Sequence, residues 1–134
     1  MKPSLADLVA SLLAIVEGER LVSYQDSGEV WTIGFGHTKD VKPGQFISHE
    51  EAVRFMQEDL SPLFLLVAGM PVFQAAALVS FGYNCGRGAL QLVLAGKDSI
   101  DNPKHTQDKH GTVLPWLVKR RRLESILIQL GKAA

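Results

Sequence analysis

The chain has 134 residues, which is long enough for one domain with a substantial buried core. Hydrophobic residues make up 46% of the chain and charged residues 21%, as in an ordinary globular protein rather than a disordered one. The formal net charge is zero, which argues against nucleic acid as a partner, and the single cysteine, Cys85, excludes an intramolecular disulfide.

The N-terminal segment predicts an amphipathic helix that ends at Glu17. Asp7 interrupts its apolar run and no small-residue cleavage site follows, so a helix is favoured over a signal peptide. Gly18 acts as a stop signal directly after Glu17. The apolar positions recur at helical spacing: Leu5, Leu8, Val9, Leu12, Ile15 and Val16. The carboxylate of Glu17 is therefore expected at a helix end.

A β-hairpin is predicted next, between Leu21 and Gly36. This stretch is rich in valine, tyrosine, tryptophan, threonine, isoleucine and phenylalanine, which favour strands. The turn-forming sequence Asp26-Ser27-Gly28 lies midway along it. A further strand is expected around residues 45–47, after the Pro43-Gly44 turn.

Two helices are predicted in the middle of the chain. Ser48 is followed three residues later by Glu51, which is the capping-box pattern, and it opens a helix through Leu60. The segment from Val72 to about Asn84 is apolar nearly all round, as a central buried helix would be.

A long uncharged run lies between Asp59 and Arg87 and raises the question of a membrane span. Its length would suffice to cross a bilayer. Gly69 and Pro71 divide it, however, so two buried helices explain it better and no stable membrane insertion is expected.

The C-terminal third predicts a short helix, a loop and a long helix. Residues 90–95 form a short apolar helix, residues 96–111 are polar and typical of a loop, and Pro115 opens the last helix. The core stripe of that helix is expected at Leu123, Ile126, Leu127 and Leu130. A small sheet near the N-terminus with helices elsewhere indicates the α+β class.

Three polar residues of the N-terminal region form a candidate catalytic group. Glu17 closes the first helix, Asp26 lies at the hairpin turn, and Thr32 lies on the returning strand. Two carboxylates in different environments are what glycoside hydrolysis requires, one to give a proton and one to act on water. The alternative is that Asp26 only forms its turn and that Glu17 is an ordinary surface residue.

The sequence around these residues resembles a known family. The stretch "EGERLVSYQDSGEVWTIGFGHT", residues 17–38, closely resembles the phage-type lysozymes, glycoside hydrolase family 24, whose signature has E-G-x-R, then Y-x-D, then T-I-G-x-G-H. The spacing of glutamate, aspartate and threonine is also that of the family. The resemblance continues in "FGYNCGRGAL" and in "LPWLVKRRRLESIL", and so covers most of the chain.

The resemblance implies a single lysozyme-like domain over residues 1–134. Its sheet-bearing lobe would span about residues 17–60, and its helical lobe about residues 61–134 packed with helix 1–17, with the catalytic cleft between them. The implied activity is inverting hydrolysis of the β-1,4 bond between N-acetylmuramic acid and N-acetylglucosamine in peptidoglycan, without metal or cofactor. Glu17 would be the general acid, and Asp26 with Thr32 would position the attacking water.

The resemblance also indicates residues that contact the glycan. Substrate-binding residues are predicted at Thr38, Tyr83, Asn84 and Arg121, with Arg120 as the alternative arginine that reaches the cleft. His37 is expected to be structural, hydrogen-bonded near the cleft floor. The glycines Gly34 and Gly36 are expected to allow a tight turn and a close approach of the sugar chain.

The polar loop at residues 96–111 carries aspartates and histidines that suggest a metal site, but it lacks the calcium-loop pattern and the spacing of zinc ligands. A solvated loop is therefore favoured. This loop stands where the family usually has more chain, and Trp116 stands where the family commonly has glycine. We expect either a compact helical lobe with Trp116 buried or self-association, so the oligomeric state is left open. A weakly active or inactive peptidoglycan-binding remnant is the alternative function.

The resemblance further implies an endolysin. Such an enzyme would accumulate in the host cytoplasm and depend on a holin to reach periplasmic peptidoglycan once the inner membrane is permeabilised. Peptidoglycan glycan strands are then its expected partner.

Overall fold

The computed structural model describes residues 4–133; residues 1–3 and 134, which the predicted domain includes, lie outside the described residues. The elements in chain order are helix α1 (Leu5–Glu17), strands β1 (Arg20–Gln25) and β2 (Trp31–Gly34), helices α2 (His49–Leu66), α3 (Val72–Cys85) and α4 (Arg87–Leu94), a 3-10 turn (Pro103–Thr106) and helix α5 (Pro115–Ala133). The arrangement is the predicted α+β class.

The sheet is a two-stranded antiparallel hairpin. Tyr24 lies opposite Thr32, and the register is irregular between Arg20 and Tyr24. The third strand predicted at residues 45–47 is reduced to a single bridge between Val22 and Phe46. The reason is local, because Ser48 already caps α2 and leaves no chain to extend the strand.

The helix ends follow their capping chemistry. Ser48 and Glu51 form the predicted capping box at the start of α2. That helix continues past the predicted end at Leu60 and passes through Pro62 to Leu66. Leu63 and Val67 on its far turn are 4% and 1% exposed, so their burial offsets the hydrogen bond that Pro62 cannot make.

Helix α3 is the centre of the molecule, as its sequence predicted. All of its residues from Ala75 to Gly82 are buried. It contacts α1, α2, α4 and α5, so one core joins the first helix to the C-terminal helices. None of the helices in residues 4–133 has the length and apolar character needed to cross a membrane.

The C-terminal helix turns a different face inward from the one predicted. Ile126 and Leu130, expected in the core stripe, are 50% and 52% exposed, while Leu123 and Leu127 are half-buried. The buried positions are instead Leu117, Arg120, Arg121 and Glu124. The charged side chains are inward because they pair with one another and with groups on α1 and α3.

The polar loop and Trp116 also differ from expectation. Ile100 and His105 of the loop are buried, and the His105 ring packs edge-on against Phe81 at a centroid distance of 4.8 Å. The loop and α5 therefore cover α3 directly. Trp116 is 46% exposed, so the first of the two expected outcomes, a compact lobe with Trp116 buried, is wrong, and self-association stays a prediction.

Candidate active site

A cleft of about 850 Å³ lies between the hairpin and the helices. Glu17 forms part of its wall at the end of α1, and Asp26 and Thr32 contribute from the hairpin. The structure therefore brings the three predicted catalytic residues to one cavity, although they belong to different elements.

Glu17 is held at the cleft by two neighbours. Its side chain is 16% exposed, and its Oε1 accepts a hydrogen bond from Nη1 of Arg120. On its other side lies Gly36, with a φ of 81°; a Cβ there would stand 2.8 Å from Glu17 Oε2. Glycine at this position accommodates the positive φ and leaves room for the Glu17 carboxyl group, in addition to the close approach of a sugar chain that the sequence suggested.

The other glycine of the motif serves packing. Gly34 has a φ of 67°, and a Cβ there would meet the Cβ of Ala52 at 3.3 Å. It allows β2 to lie close against α2, so it faces the core.

Asp26 is exposed and shaped by its turn. Its Oδ1 accepts hydrogen bonds from the backbone N–H groups of Gly28, at 2.8 Å, and Val30, at 2.9 Å. Oδ2 accepts none from the described residues and is left to the cleft. The two roles considered for Asp26 from the sequence are therefore compatible, because the turn uses Oδ1 and leaves Oδ2 available.

Thr32 lies on β2 and is only 3% exposed. Its hydroxyl donates to the carbonyl oxygen of Val30 at 2.8 Å. Because its one proton is committed to the backbone, Oγ1 can serve the cleft only as an acceptor.

A buried ionic cluster is connected to the site through Arg120, which contacts Glu17. Glu124 is 0% exposed; it accepts from Ser80 Oγ at 2.6 Å and from Arg121 Nη2 at 2.9 Å. Arg120 donates from Nη2 to the Ser80 carbonyl at 3.0 Å and holds Glu17 with Nη1. Two guanidinium groups thus face two carboxyl groups within one cluster. Desolvation raises the pKa of Glu124, and Arg121 beside it acts in the opposite direction.

The predicted substrate-binding residues divide into two groups. Thr38, Tyr83 and Asn84 line the cleft. Arg121 does not; it is 4% exposed and packs on Glu124 and the Phe81 ring. Arg120, left open as the alternative, is the arginine that contacts Glu17.

Tyr83 fixes the motif turn to the central helix. Its hydroxyl donates to the Phe35 carbonyl at 2.6 Å, and burial raises its pKa well above the usual range. Tyr24, on the hairpin, has its pKa raised by burial and by the charge of Glu17. Both phenols therefore act as neutral groups at physiological pH.

His37 and Cys85, which the sequence also pointed out, are partly or fully buried. Nδ1 of His37 lies 2.6 Å from the carboxylate of Asp59, and its ring stacks on Phe55, in agreement with the predicted structural role. Cys85 lines the cleft, and burial raises the pKa of its thiol, which favours the neutral form. Within the described residues, no group of three or more histidine, cysteine or acidic side chains is placed to hold a metal ion.

Sequence reasoning missed Trp116 and Tyr24 as lining residues. The signal for Tyr24 was available, because it lies two residues before Asp26 inside the family motif. The sequence favours a packing role for Trp116, since nothing in the local sequence shows which side of α5 faces the cleft.

Residues 14–124 match the family described as phage lysozyme, and this match covers most of the chain. The chain belongs to the phage lysozyme family. The predicted resemblance to the phage-type lysozymes is thereby confirmed. The catalytic glutamate, aspartate and threonine expected for a phage lysozyme all lie inside the matched range.

Similar proteins include several endolysins. The chain is 33% identical to the endolysin of Bacillus phage B103 over 92% of its own length and 53% of that protein. It is 29% identical to the endolysin of Acyrthosiphon pisum secondary endosymbiont phage 1, with 88% of this chain and 92% of that one covered. The chain thus spans about half the length of the B103 endolysin.

Solved structures share the fold. The endolysin from Escherichia coli O157:H7 phage FAHEc1 superposes with a TM-score of 0.73 at 24% identity, covering 96% of this chain and 94% of that one. The muramidase domain of SpmX from Asticaccaulis excentricus gives a TM-score of 0.71 at 28% identity, covering 95% and 98%. The predicted lysozyme-like architecture is therefore confirmed.

Proposed function

We propose that this phage lysozyme is a muramidase, which hydrolyses the β-1,4 bond between N-acetylmuramic acid and N-acetylglucosamine in bacterial peptidoglycan. The observation that supports this most directly is the pair of carboxylates in one cleft. Glu17 is nearly enclosed, whereas Asp26 is exposed at a turn, so the two have different environments. That difference is what an acid and a water-activating base require.

Glu17 acts as the general acid. Its Oε1 accepts from Arg120, so the proton to be delivered is carried on Oε2. Protonation of the glycosidic oxygen allows the leaving sugar to depart as an alcohol while positive charge develops at the anomeric carbon. Arg120 acts as a positioning residue for this step, because its hydrogen bond to Oε1 fixes the orientation of the carboxyl group.

Asp26 and Thr32 hold the attacking water. Oδ2 of Asp26 is free to accept one hydrogen of the water, and Oγ1 of Thr32 can accept the other, since its own proton goes to Val30. Both hydrogens are then engaged, and a lone pair of the water oxygen remains for the anomeric carbon. As the water attacks from the face opposite Glu17, one of its protons passes to Oδ2 of Asp26, and the configuration inverts, giving an α product from a β bond.

The decisive experiment is the release of reducing sugar from purified peptidoglycan. We expect release by the unmodified protein, and a loss of at least about a hundredfold in Glu17→Gln, because an amide cannot deliver the proton. Asp26→Asn should be impaired to a smaller degree. Glu50→Gln, an exposed residue on α2 away from the cleft, is the matched control and should retain activity.

The alternative of a peptidoglycan-binding remnant predicts binding to the cell wall without release of sugar. Proton NMR of the first product made by the active enzyme completes the test. A β product would contradict the water-holding roles of Asp26 and Thr32, because retention requires a covalent intermediate.

We further propose that the protein acts in host-cell lysis, accumulating in the host cytoplasm and reaching periplasmic peptidoglycan after a holin permeabilises the inner membrane. The support is the likeness to proteins named endolysins. Expression of this chain alone should leave cells intact, and addition of chloroform should lyse them. Lysis without a permeabilising agent would contradict the dependence on a holin.

A further inference from the structure

Trp116 leaves a large aromatic side chain exposed inside the cleft. It is 46% exposed and lies among the lining residues together with Glu17 and Tyr24. Aromatic side chains contribute large contact areas to ligand sites, and tryptophan adds an N–H donor at one edge. An exposed tryptophan in a concave polar site is therefore suited to contact a ligand.

The position of Trp116 relative to the acid follows from helix geometry. Trp116 and Arg120 are four residues apart on α5, so they lie on the same side of the helix, about 6 Å apart along its axis. Arg120 contacts Glu17. The backbone position of Trp116 is thus about one helical turn from that of the residue that contacts Glu17.

We propose that Trp116 is a specificity-determining platform, on which the apolar face of a sugar residue next to the cleaved bond stacks. This inference rests on the proposed function of the cleft. A pyranose ring presents C–H groups on one face, and these pack against the electron-rich face of an indole. Trp116 would strengthen glycan binding without taking part in proton transfer, because its side chain has no titratable group.

The contact is a property of this chain. Glycine, which the family resemblance leads us to expect at this position, offers no such face. None of residues 96–111 lines the cleft, whereas Trp116, in the first turn of α5, does. Trp116 then supplies a wall for the glycan.

The first test measures binding in the Glu17→Gln background, which prevents hydrolysis. The ligand is the tetrasaccharide of two N-acetylglucosamine–N-acetylmuramic acid units, and Trp31→Phe removes the other tryptophan so that fluorescence reports on Trp116. We expect a saturable change in emission. Trp116→Ala, measured by calorimetry, should bind about tenfold more weakly, which corresponds to about 1.4 kcal/mol. Trp116→Phe should lie between the two.

A matched control lies on the same helix. Ile126 is 50% exposed and does not line the cleft, so Ile126→Ala removes a similarly exposed apolar side chain away from the glycan. Its affinity should equal that of the parent. Equal affinity in Trp116→Ala and the parent, or an unchanged emission at saturating ligand, would overturn the proposal.

The second test uses the active enzyme and separates this proposal from the function on which it rests. In Trp116→Ala the KM for peptidoglycan should rise about tenfold while kcat changes by less than about twofold, because a contact that is equal in ground and transition states was removed. A fall in kcat with unchanged KM would overturn the stacking role and leave the hydrolase intact. Binding with the expected emission change but no sugar release would refute the hydrolase and leave the stacking role standing.

Discussion

At the scale of single residues, the site depends on charges that are buried in pairs. Arg120 is needed to orient Glu17, and a buried guanidinium is costly unless carboxylates and hydrogen-bond acceptors surround it. Glu124 and Ser80 supply that environment. The carboxyl group of Glu17 is therefore held in place by Arg120, which is itself held by buried residues of α3 and α5.

We predict that Glu124→Gln destabilises the protein by about 3 to 5 kcal/mol, because it leaves two buried guanidinium groups with one carboxylate, Glu17. The control is Glu58→Gln, which breaks an i,i+4 contact with Arg54 on the exposed face of α2, at 3.9 Å. This variant should lose no more than about 0.5 kcal/mol. Urea unfolding of both variants measures the difference. Equal losses would mean that the buried cluster makes no special contribution.

At the scale of elements, glycine sets how closely the central helices pack. A Cβ on Gly82 of α3 would stand 2.8 Å from Cδ2 of Leu90 on α4 and 3.2 Å from Cδ2 of Leu63 on α2. Three helices therefore meet at a position without a side chain. Gly88 on α4 has nothing within 4 Å of the corresponding point.

These two glycines give a matched pair of substitutions. Gly82→Ala should cost about 1 to 3 kcal/mol of stability through overpacking against the two leucines. Gly88→Ala should be neutral or stabilise the protein by up to about 1 kcal/mol, because alanine is the better helix former. Thermal unfolding of the two variants and the parent measures these differences in stability. The packing account would be wrong if Gly82→Ala unfolded at or above the temperature of the parent.

The loop between α4 and α5 is held by one carboxylate. Asp98 accepts hydrogen bonds from Asn102 at 3.0 Å and His105 at 2.9 Å, and it pairs with Lys104 at 3.2 Å. The hydrogen bonds from Asn102, the Ser99 N–H, His105 and Lys104 hold the pKa of Asp98 well below its usual range. This network explains how a polar loop brings Ile100 and His105 into contact with the core.

The lowered pKa gives a pH-dependent prediction. A carboxyl group whose pKa is lower in the folded state stabilises the fold above its unfolded pKa of about 4, and this contribution is lost as the pH falls through the folded pKa. Asp98→Asn should therefore unfold at a lower temperature than the parent at pH 7. The difference should shrink as the pH is lowered below about 4. A difference independent of pH would exclude the carboxylate as its source.

At the scale of the whole molecule, one core connects the two lobes. Leu13 of α1, Ile33 of β2 and Leu90 of α4 are each 0% exposed and belong to the same cluster. The candidate active-site cleft is formed where the hairpin meets this cluster. Exposed apolar residues on the outer faces, such as Phe73 and Leu130, leave self-association as a prediction to be tested by sedimentation.

We propose that the chain unfolds as one cooperative unit, in keeping with the single domain predicted from the sequence. Emission from Trp31 on β2, measured in Trp116→Phe, reports on the hairpin, and far-ultraviolet circular dichroism reports on the helices. Both transitions in urea should share one midpoint, because no boundary divides the core. Separate midpoints would instead indicate two independently stable lobes.

The sequence by itself determined what depends on near neighbours. Gly18, the Ser48–Glu51 capping box and Pro115 set helix ends because their effects act within one turn. The hairpin and its Asp26 turn, and the family motif that contains them, are likewise local. These features gave the fold class and the candidate catalytic group.

Only the tertiary structure decided which of two adjacent arginines contacts Glu17. Arg120 and Glu17 are 103 residues apart, so the spacing between them carries no signal in the local sequence. The local sequence was also insufficient for α5: its leucine pattern indicated one buried face, but the face that carries the paired charges is the buried one. It was insufficient for Trp116 as well, which faces the cleft instead of the core. In each case, the free energy of burying a group depends on partners that only the folded chain brings into contact.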